Sequence, residues 1–465
     1  MSPQLNLGLV RVTLTASDRQ IDLALPAQVT LAEVMPTLLH YLGASLRADP
    51  DAAATGWSVR RADGTRLAYD KTFVAQQVRD GATLYLVPRD AEWPEPDYDD
   101  LALALADGSA ALGPTWQGRH TRAAALVVTS TALLIGLVVL LLSGPGWSIP
   151  TIVALAAAAT TLCVGTVLSR ALGDSGAGAA IAAHAMPYAF LAGLLLLGGR
   201  SGLTELGAPN LLTGSMALLV AALLGFVATA DQLWLFVAGM LLGLLGSLAG
   251  TVQALTSAPF AGAAAVVVCV ALAVMPLTPG LSLRLAKIPM PDLPQTPQDL
   301  LKDAPLPPSA DIRAGVMRTS HLFGGLLLGA SVAIVACVIV LAVHGGVAAL
   351  LLAGIASALC LNRARMLLLA RQRTPVLAAG VLGFAFAAIG LALAVDTTVR
   401  PVVVYLGLLP AALVATATGI TYSRRPPSPL FGRLADIFDA VLVVSVVPVA
   451  CAVLGLYGVM RGLAG

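Results

Sequence analysis

The sequence predicts a polytopic α-helical membrane protein with a small soluble α/β head at its N-terminus. Two observations carry that prediction. Of its 465 residues, 58% are hydrophobic and only 11% charged, against about a quarter charged in an ordinary soluble domain. The charge is also uneven, because nine of the 27 Lys and Arg lie before Gln117 and long apolar stretches follow. The net charge of +2, with no basic stripe interleaved with aromatics, argues against nucleic acid as a partner. The five cysteines (Cys163, Cys269, Cys337, Cys360, Cys451) stand singly in apolar runs and read as small core hydrophobes. The opening MSPQLNLGLVRVTLT lacks the basic and apolar regions of a secretory signal, so the head is expected to stay in the cytosol.

Residues 1–89 form the head. Val10, Val12 and Leu14 alternate with Arg11, Thr13 and Thr15, and Ile21, Leu23 and Leu25 repeat that period after Ser17-Asp18, which predicts a hairpin. Thr30 and Glu33 then have capping-box spacing ahead of Leu31, Val34, Leu38 and Leu42, the apolar face of a helix. Pro36 lies inside that helix and removes a backbone donor, so a kink or a tight first turn is expected there. Trp57 and Val59 supply a third strand, Ala62-Asp63-Gly64 a turn, and Thr83 to Val87 a fourth strand. The order strand, strand, helix, strand, strand, with RADGTRLAYD before VRDGATLYLVPR, resembles the β-grasp fold of ubiquitin-like domains. No diglycine follows, since Pro88-Arg89 continues into DAEWPEPDYDD, which excludes conjugation. Arg60, Tyr85 and Val87 replace the aliphatic patch of ubiquitin, so they are candidate contacts for other docking partners.

Residues 90–118 read as a linker, acidic and Pro-containing, with LALALADGSAAL as one short helical candidate. The membrane body, 119–465, holds eleven stretches near the length of about 20 apolar residues that a spanning helix needs. They fall at 123–142, 149–168, 177–198, 211–229, 233–250, 258–280, 321–342, 346–361, 376–395, 401–420 and 438–458. With the N-terminus placed in the cytosol, fifteen basic residues of the body fall on the cytosolic side and only Arg200, Arg400 and Arg461 on the other. The positive-inside bias therefore predicts a cytosolic N-terminus and an external C-terminus. Arg outnumbers Lys 24 to 3, a bias that hints at a GC-rich bacterial source.

The spans offer little chemistry. Asp231, Asp396 and Asp439 are placed at span ends, and His184 is the one deeper ionisable group, a candidate for a hydrogen bond to a neighbouring helix or for a proton relay. No Lys follows a Gly and no His precedes a Glu, which removes the P-loop and HExxH patterns. Gly173-Asp174-Ser175-Gly176 lies in a short connector with no soluble domain beside it to supply a catalytic His. No catalytic residue, metal or cofactor is expected. Gly239, Gly243, Gly246 and Gly250, and Gly325 with Gly329, have helix-packing spacing, which suits packing within the bundle or a contact between subunits.

The cytosolic loop 282–320 carries Pro289, Pro291, Pro294 and Pro297, a density that favours extended polyproline geometry and suits a docking arm. Arg363, Arg365, Arg371 and Arg373, with Arg424 and Arg425 before the last span, are candidate contacts for anionic lipid headgroups. These residues alone leave two readings open, a scaffold or a secondary transporter with a regulatory cytosolic domain.

An N-terminal ubiquitin-like domain, a tether, eleven spans, a Pro-rich loop after the sixth and YSRRPPSPLFGRLADIFDAV leading into the last together resemble the EccD family. That family is the polytopic membrane subunit of type VII (ESX-type) secretion systems. The resemblance implies a non-enzymatic component of the plasma membrane that pairs into a homodimer around a lipid-filled vestibule. It also implies partners similar to EccB, the ATPase EccC and EccE, with the head set against their soluble parts.

Overall fold

The computed structural model describes residues 8–16, 19–46, 57–61, 65–88, 116–229, 232–256, 259–287, 309–424, 429–458 and 460. The chain divides into two compact units, Met1–Thr115 and Trp116–Gly465.

In the first unit, β1 (Leu9–Ala16) and β2 (Arg19–Pro26) form the hairpin, followed by α1 (Leu31–Leu46), β3 (Trp57–Arg61) and β4 (Ala82–Pro88). The sheet order is β2-β1-β4-β3, with β1 and β4 parallel and the other pairs antiparallel. A chain that begins with a hairpin can place its last strand beside its first only by crossing over, and α1 lies within that crossover. The inward side chains Val12, Leu14, Val59, Leu84 and Leu86 meet Leu31 and Leu38 of α1 in one core, which Phe73 completes. The Asp80-Gly81 turn fixes the start of β4. The Asp80 carboxylate accepts the Arg11 N–H at 2.6 Å, Gly81 donates to the Arg11 carbonyl at 2.7 Å, and Gly81 has φ +81°, which suits a residue without Cβ. α1 continues through Pro36, whose side chain is exposed. Ser17-Asp18 and Ala62-Asp63-Gly64 lie outside the described residues.

Among the described residues, the second unit contains eleven helical segments long and apolar enough to cross a membrane. Their elements are α2 (Gly118–Leu142), α3 (Ser148–Arg170), α4 (Ser175–Ala183) with α5 (Ala185–Leu196), α6 (Ala208–Ala228), α7 (Leu233–Thr256), α8 (Phe260–Val274) with α9 (Thr278–Ala286) and α10 (Ser309–His344). Then come α11 (Val347–Ala364), α12 (Ala370–Ala394), α13 (Arg400–Val403) leading through a π turn into α14 (Leu409–Arg424), and α15 (Pro429–Val453). α10 is the hub, packing against α7, α8, α9, α11 and α12. The largest core gathers around it from small and branched residues, including Ala330, Ile334, Val338, Ala353 and Ala356. The sixth span changes from α8 to α9 through a 3-10 turn at Met275–Leu277, where Pro276 cannot continue the hydrogen-bond ladder.

Two expected boundaries are corrected. The connection between the sixth and seventh spans is shorter than the expected loop 282–320, because α9 runs to Ala286 and α10 already begins at Ser309. Pro289, Pro291, Pro294 and Pro297 lie outside the described residues. The last span begins at Pro429, not near 438, so PLFGRLADIF is helix and not a segment leading into one. Proline suits a first helical turn, and the acids that lower the hydropathy of this stretch meet basic partners in the folded bundle.

Candidate interaction surfaces

β3 is an edge strand, and its register sets Arg60 opposite Tyr85 and Ser58 opposite Val87. Directly paired residues share a sheet face, so Arg60, Tyr85 and Val87 line the outer face while Val59, Leu84 and Leu86 point into the core. Tyr85 is 39% exposed. Tyr85 is also paired with Thr15 of β1, so Thr15, Tyr85 and Arg60 lie side by side across three strands. Further along the sheet Thr13 donates to the Asp22 carboxylate at 2.6 Å. The face offers hydrogen bonds, one ring and a cation.

The glycines set helices close together within one bundle. A Cβ on Gly243 would lie 2.9 Å from the Leu219 Cβ, and one on Gly250 2.7 Å from Leu212, both on α6. Gly239 faces Met186 and Ala222, and Gly246 faces Ser215. On α10, a Cβ at Gly325 would stand 2.6 Å from the Trp234 carbonyl and one at Gly329 2.7 Å from that of Ala238. α7 is therefore held along two glycine seams, its own against α6 and that of α10 against it.

Basic side chains tie further elements together. Arg122 of α2 makes a two-pronged contact with Asp174, its Nε donating to Oδ2 at 2.9 Å, while Asp174 also caps α4 by accepting the Ala177 N–H at 3.0 Å. That backbone hydrogen bond, then Arg122, holds the Asp174 carboxyl below its ordinary pKa. Gly173-Asp174-Ser175-Gly176 thus starts a helix. His184 bonds through Nδ1 to the Ala180 carbonyl at 2.9 Å, within its own span and not to a neighbouring helix as expected.

The lipid-facing expectation for Arg363 and Arg365 needs redirecting. The Arg363 side chain is 16% exposed, its Nε donates to Asp439 at 3.4 Å, and its Nη1 donates to the Leu272 carbonyl of α8 at 2.7 Å. Asn362 joins them, donating to Asp439 at 3.2 Å and to the Ala435 carbonyl at 2.9 Å. Arg365 pairs with Asp436 one turn away. Three residues at the end of α11, Asn362, Arg363 and Arg365, thereby grip α15, and Arg363 also reaches α8. Apolar spacing alone sets Asp439 at a span end and gives it no partner. The signal lay in the sequence nonetheless, as two acids three apart in LADIFDAV and two arginines two apart in NRAR. Arg371 stacks over Trp234, 4.7 Å from the ring centre, and Arg373 is exposed. Arg424 ends α14, and Arg425 lies outside the described residues.

Comparison with known proteins gives this geometry a lineage. Residues 121–463 match the family described as "EccD-like transmembrane domain". The chain belongs to the EccD family. Residues 9–86 match a second family, described as "WXG100 protein secretion system (Wss), protein YukD". The EccD relationship extends end to end: the ESX-4 secretion system protein eccD4 of Mycobacterium tuberculosis is 26% identical over 478 residues, covering 99% of both chains. Among solved structures, protomer 1 of the ESX-3 core complex superposes with a TM-score of 0.58 at 20% identity, over 97% of this chain and 100% of that one. A chain of the MycP5-free ESX-5 inner membrane complex gives 0.58 at 22% identity, over 88% and 99%. At these identities the likeness to the two solved structures is one of fold.

Proposed function

We propose that this EccD-family chain is a structural membrane component of a type VII secretion complex, and that its role is architectural and not catalytic. The observation that carries this is the order of its parts: a YukD-like unit at 9–86 and an EccD-like unit at 121–463, matched to an ESX-4 relative from end to end. The working division is a head at 1–89, a linker at 90–118 and a membrane body at 119–465. The chain sits in the bacterial plasma membrane with its N-terminus in the cytosol and its C-terminus outside. The fifteen-to-three split of basic residues between the two sides supports that orientation.

Two copies pair in the membrane, and the head docks the cytosolic parts of EccB-, EccC- and EccE-like subunits through Arg60, Tyr85 and Val87, with the proline loop as a second arm. Arg371, Arg373, Arg424 and Arg425 contact anionic headgroups. A transporter reading finds no support at His184, whose ring is engaged with a backbone carbonyl of its own span. Removing residues 1–89 should leave a body that inserts and pairs but loses the ATPase subunit on mild-detergent purification. Undiminished co-purification of that subunit would refute docking by the head, and a full-length chain that sizes as a lone monomer would refute the assembly.

A further inference from the structure

We propose that a cleft between α7, α9 and α10 binds one anionic phospholipid, with its phosphate on Arg318 and an acyl chain laid along α7. The cavity has a volume of about 440 Å³, within the roughly 300–1,000 Å³ of small-molecule sites. Val237, Leu241 and Leu244 of α7 form one wall, Leu322 and Leu326 of α10 the other, and Leu285 of α9 closes a side. Arg318 and His321 are the polar exceptions in the lining.

The order of these residues matches an amphipathic ligand. Arg318, Leu322 and Leu326 repeat every four positions, one stripe of a helix, so a single face of α10 presents a cation and then two apolar side chains. His321 is next to that stripe, three positions from Arg318. The depth matches too. α10 has 36 residues, about 54 Å at 1.5 Å per residue, whereas the hydrocarbon core is about 30 Å thick. Counting about 20 residues back from His344 puts the edge of that core near Gly324. Leu326 then lies inside the core, and Arg318 about 9 Å outside it, at the level of phosphates.

The surrounding charge favours an anion. Arg284 and Lys287 flank Leu285 at the end of α9 and are exposed. The acid Asp311 stands about two turns further out on α10. A free phosphate would leave the leucine walls unused, and a neutral lipid would leave the cations unused. Basic pockets between spanning helices are a general solution for acidic headgroups. The cleft lies within one bundle, bounded by elements of a single chain.

The test is native mass spectrometry of the full chain in neutral detergent, titrated separately with dioleoylphosphatidylglycerol, dioleoylphosphatidylcholine and inorganic phosphate. Phosphatidylglycerol should be retained in preference to phosphatidylcholine, and phosphate at the same concentration should not displace it. Arg318→Gln, an exposed position that leaves packing intact, should weaken phosphatidylglycerol about five-fold, the worth of about 1 kcal/mol per juxtamembrane charge. It should leave phosphatidylcholine unchanged. Met240 of α7 also lines the cleft, and Met240→Trp, which fills it, should reduce retention of phosphatidylglycerol while Arg318 remains. Equal retention of the two lipids by the parent chain, or unchanged phosphatidylglycerol binding in Arg318→Gln, would overturn the site. Displacement by phosphate alone, or no effect of Met240→Trp, would overturn the acyl-chain contact.

Discussion

The head and the membrane body solve the same packing problem with different residues. In the head, Phe73, Leu14, Leu31, Leu38 and Leu84 are almost completely buried between one helix and one sheet. Large side chains leaving water supply the stabilisation there. Along α7 the close approaches rest on glycines, its own set mainly against α6 and those of α10 set against Trp234, Val237 and Ala238 of α7. A helix surrounded by lipid gains little from burying another leucine, so close backbone approach and the pairing of rare charges take over. The difference teaches where each unit is fragile: the head to loss of volume, the body to gain of volume or loss of a charge partner.

Substitutions that strike each weakness sharpen the contrast. Phe73→Ala should cost the head about 3–5 kcal/mol, the range for removing a buried ring. Hydrogen exchange on the full chain should show that loss confined to residues 8–88, and protection lost equally in the spans would mean the units are not separate. Arg363→Ala should come next. It leaves Asp439 facing α11 without its cation, at the low end of the roughly 3–5 kcal/mol for breaking a buried pair, since both side chains keep some exposure. Combining Arg363→Met with Asp439→Leu should restore part of the loss in detergent thermal melts; strictly additive effects would show that the two groups are not coupled.

Gly243→Leu should cost about 1–3 kcal/mol by forcing α7 off α6, visible as a lower melting temperature. The matching change at Gly432, where a Cβ meets nothing within 4 Å, should be tolerated. If both glycines respond alike, the seam is not where α7 is held. The smallest effect belongs to the outer face of the head. Tyr85→Ala should change stability by less than about 0.5 kcal/mol yet reduce retention of partner subunits in a pull-down. A normal pull-down would remove Tyr85 from the docking surface.

Much of this was legible in the chain before folding, at different depths. Alternation at Val10, Val12 and Leu14 and the apolar face at Leu31, Val34 and Leu38 predicted the head's strands and helix, because those periods follow directly from backbone geometry. Span positions were also legible, since membrane thickness sets their length. The start of α15 was not. Gly432, Arg433, Asp436 and Asp439 lower local hydropathy, and only pairing with Arg363 and Arg365 makes the stretch compatible with a spanning helix. The same pairing took those two arginines away from the lipid role their position suggested.

By itself, then, the sequence determined the eleven apolar lengths, the soluble head, the absence of a conjugable tail and the small-residue spacing on α7 and α10. Each is a local property, fixed by periodicity, composition or covalent continuity. Only the tertiary structure decided that the glycine seams join α6, α7 and α10 within one bundle, and that Asp439 meets Arg363, 76 positions away. It also decided that Arg318 crowns a leucine-walled cleft. Spacing says which residues share a helix face, but which face finds which partner depends on how all the helices pack together.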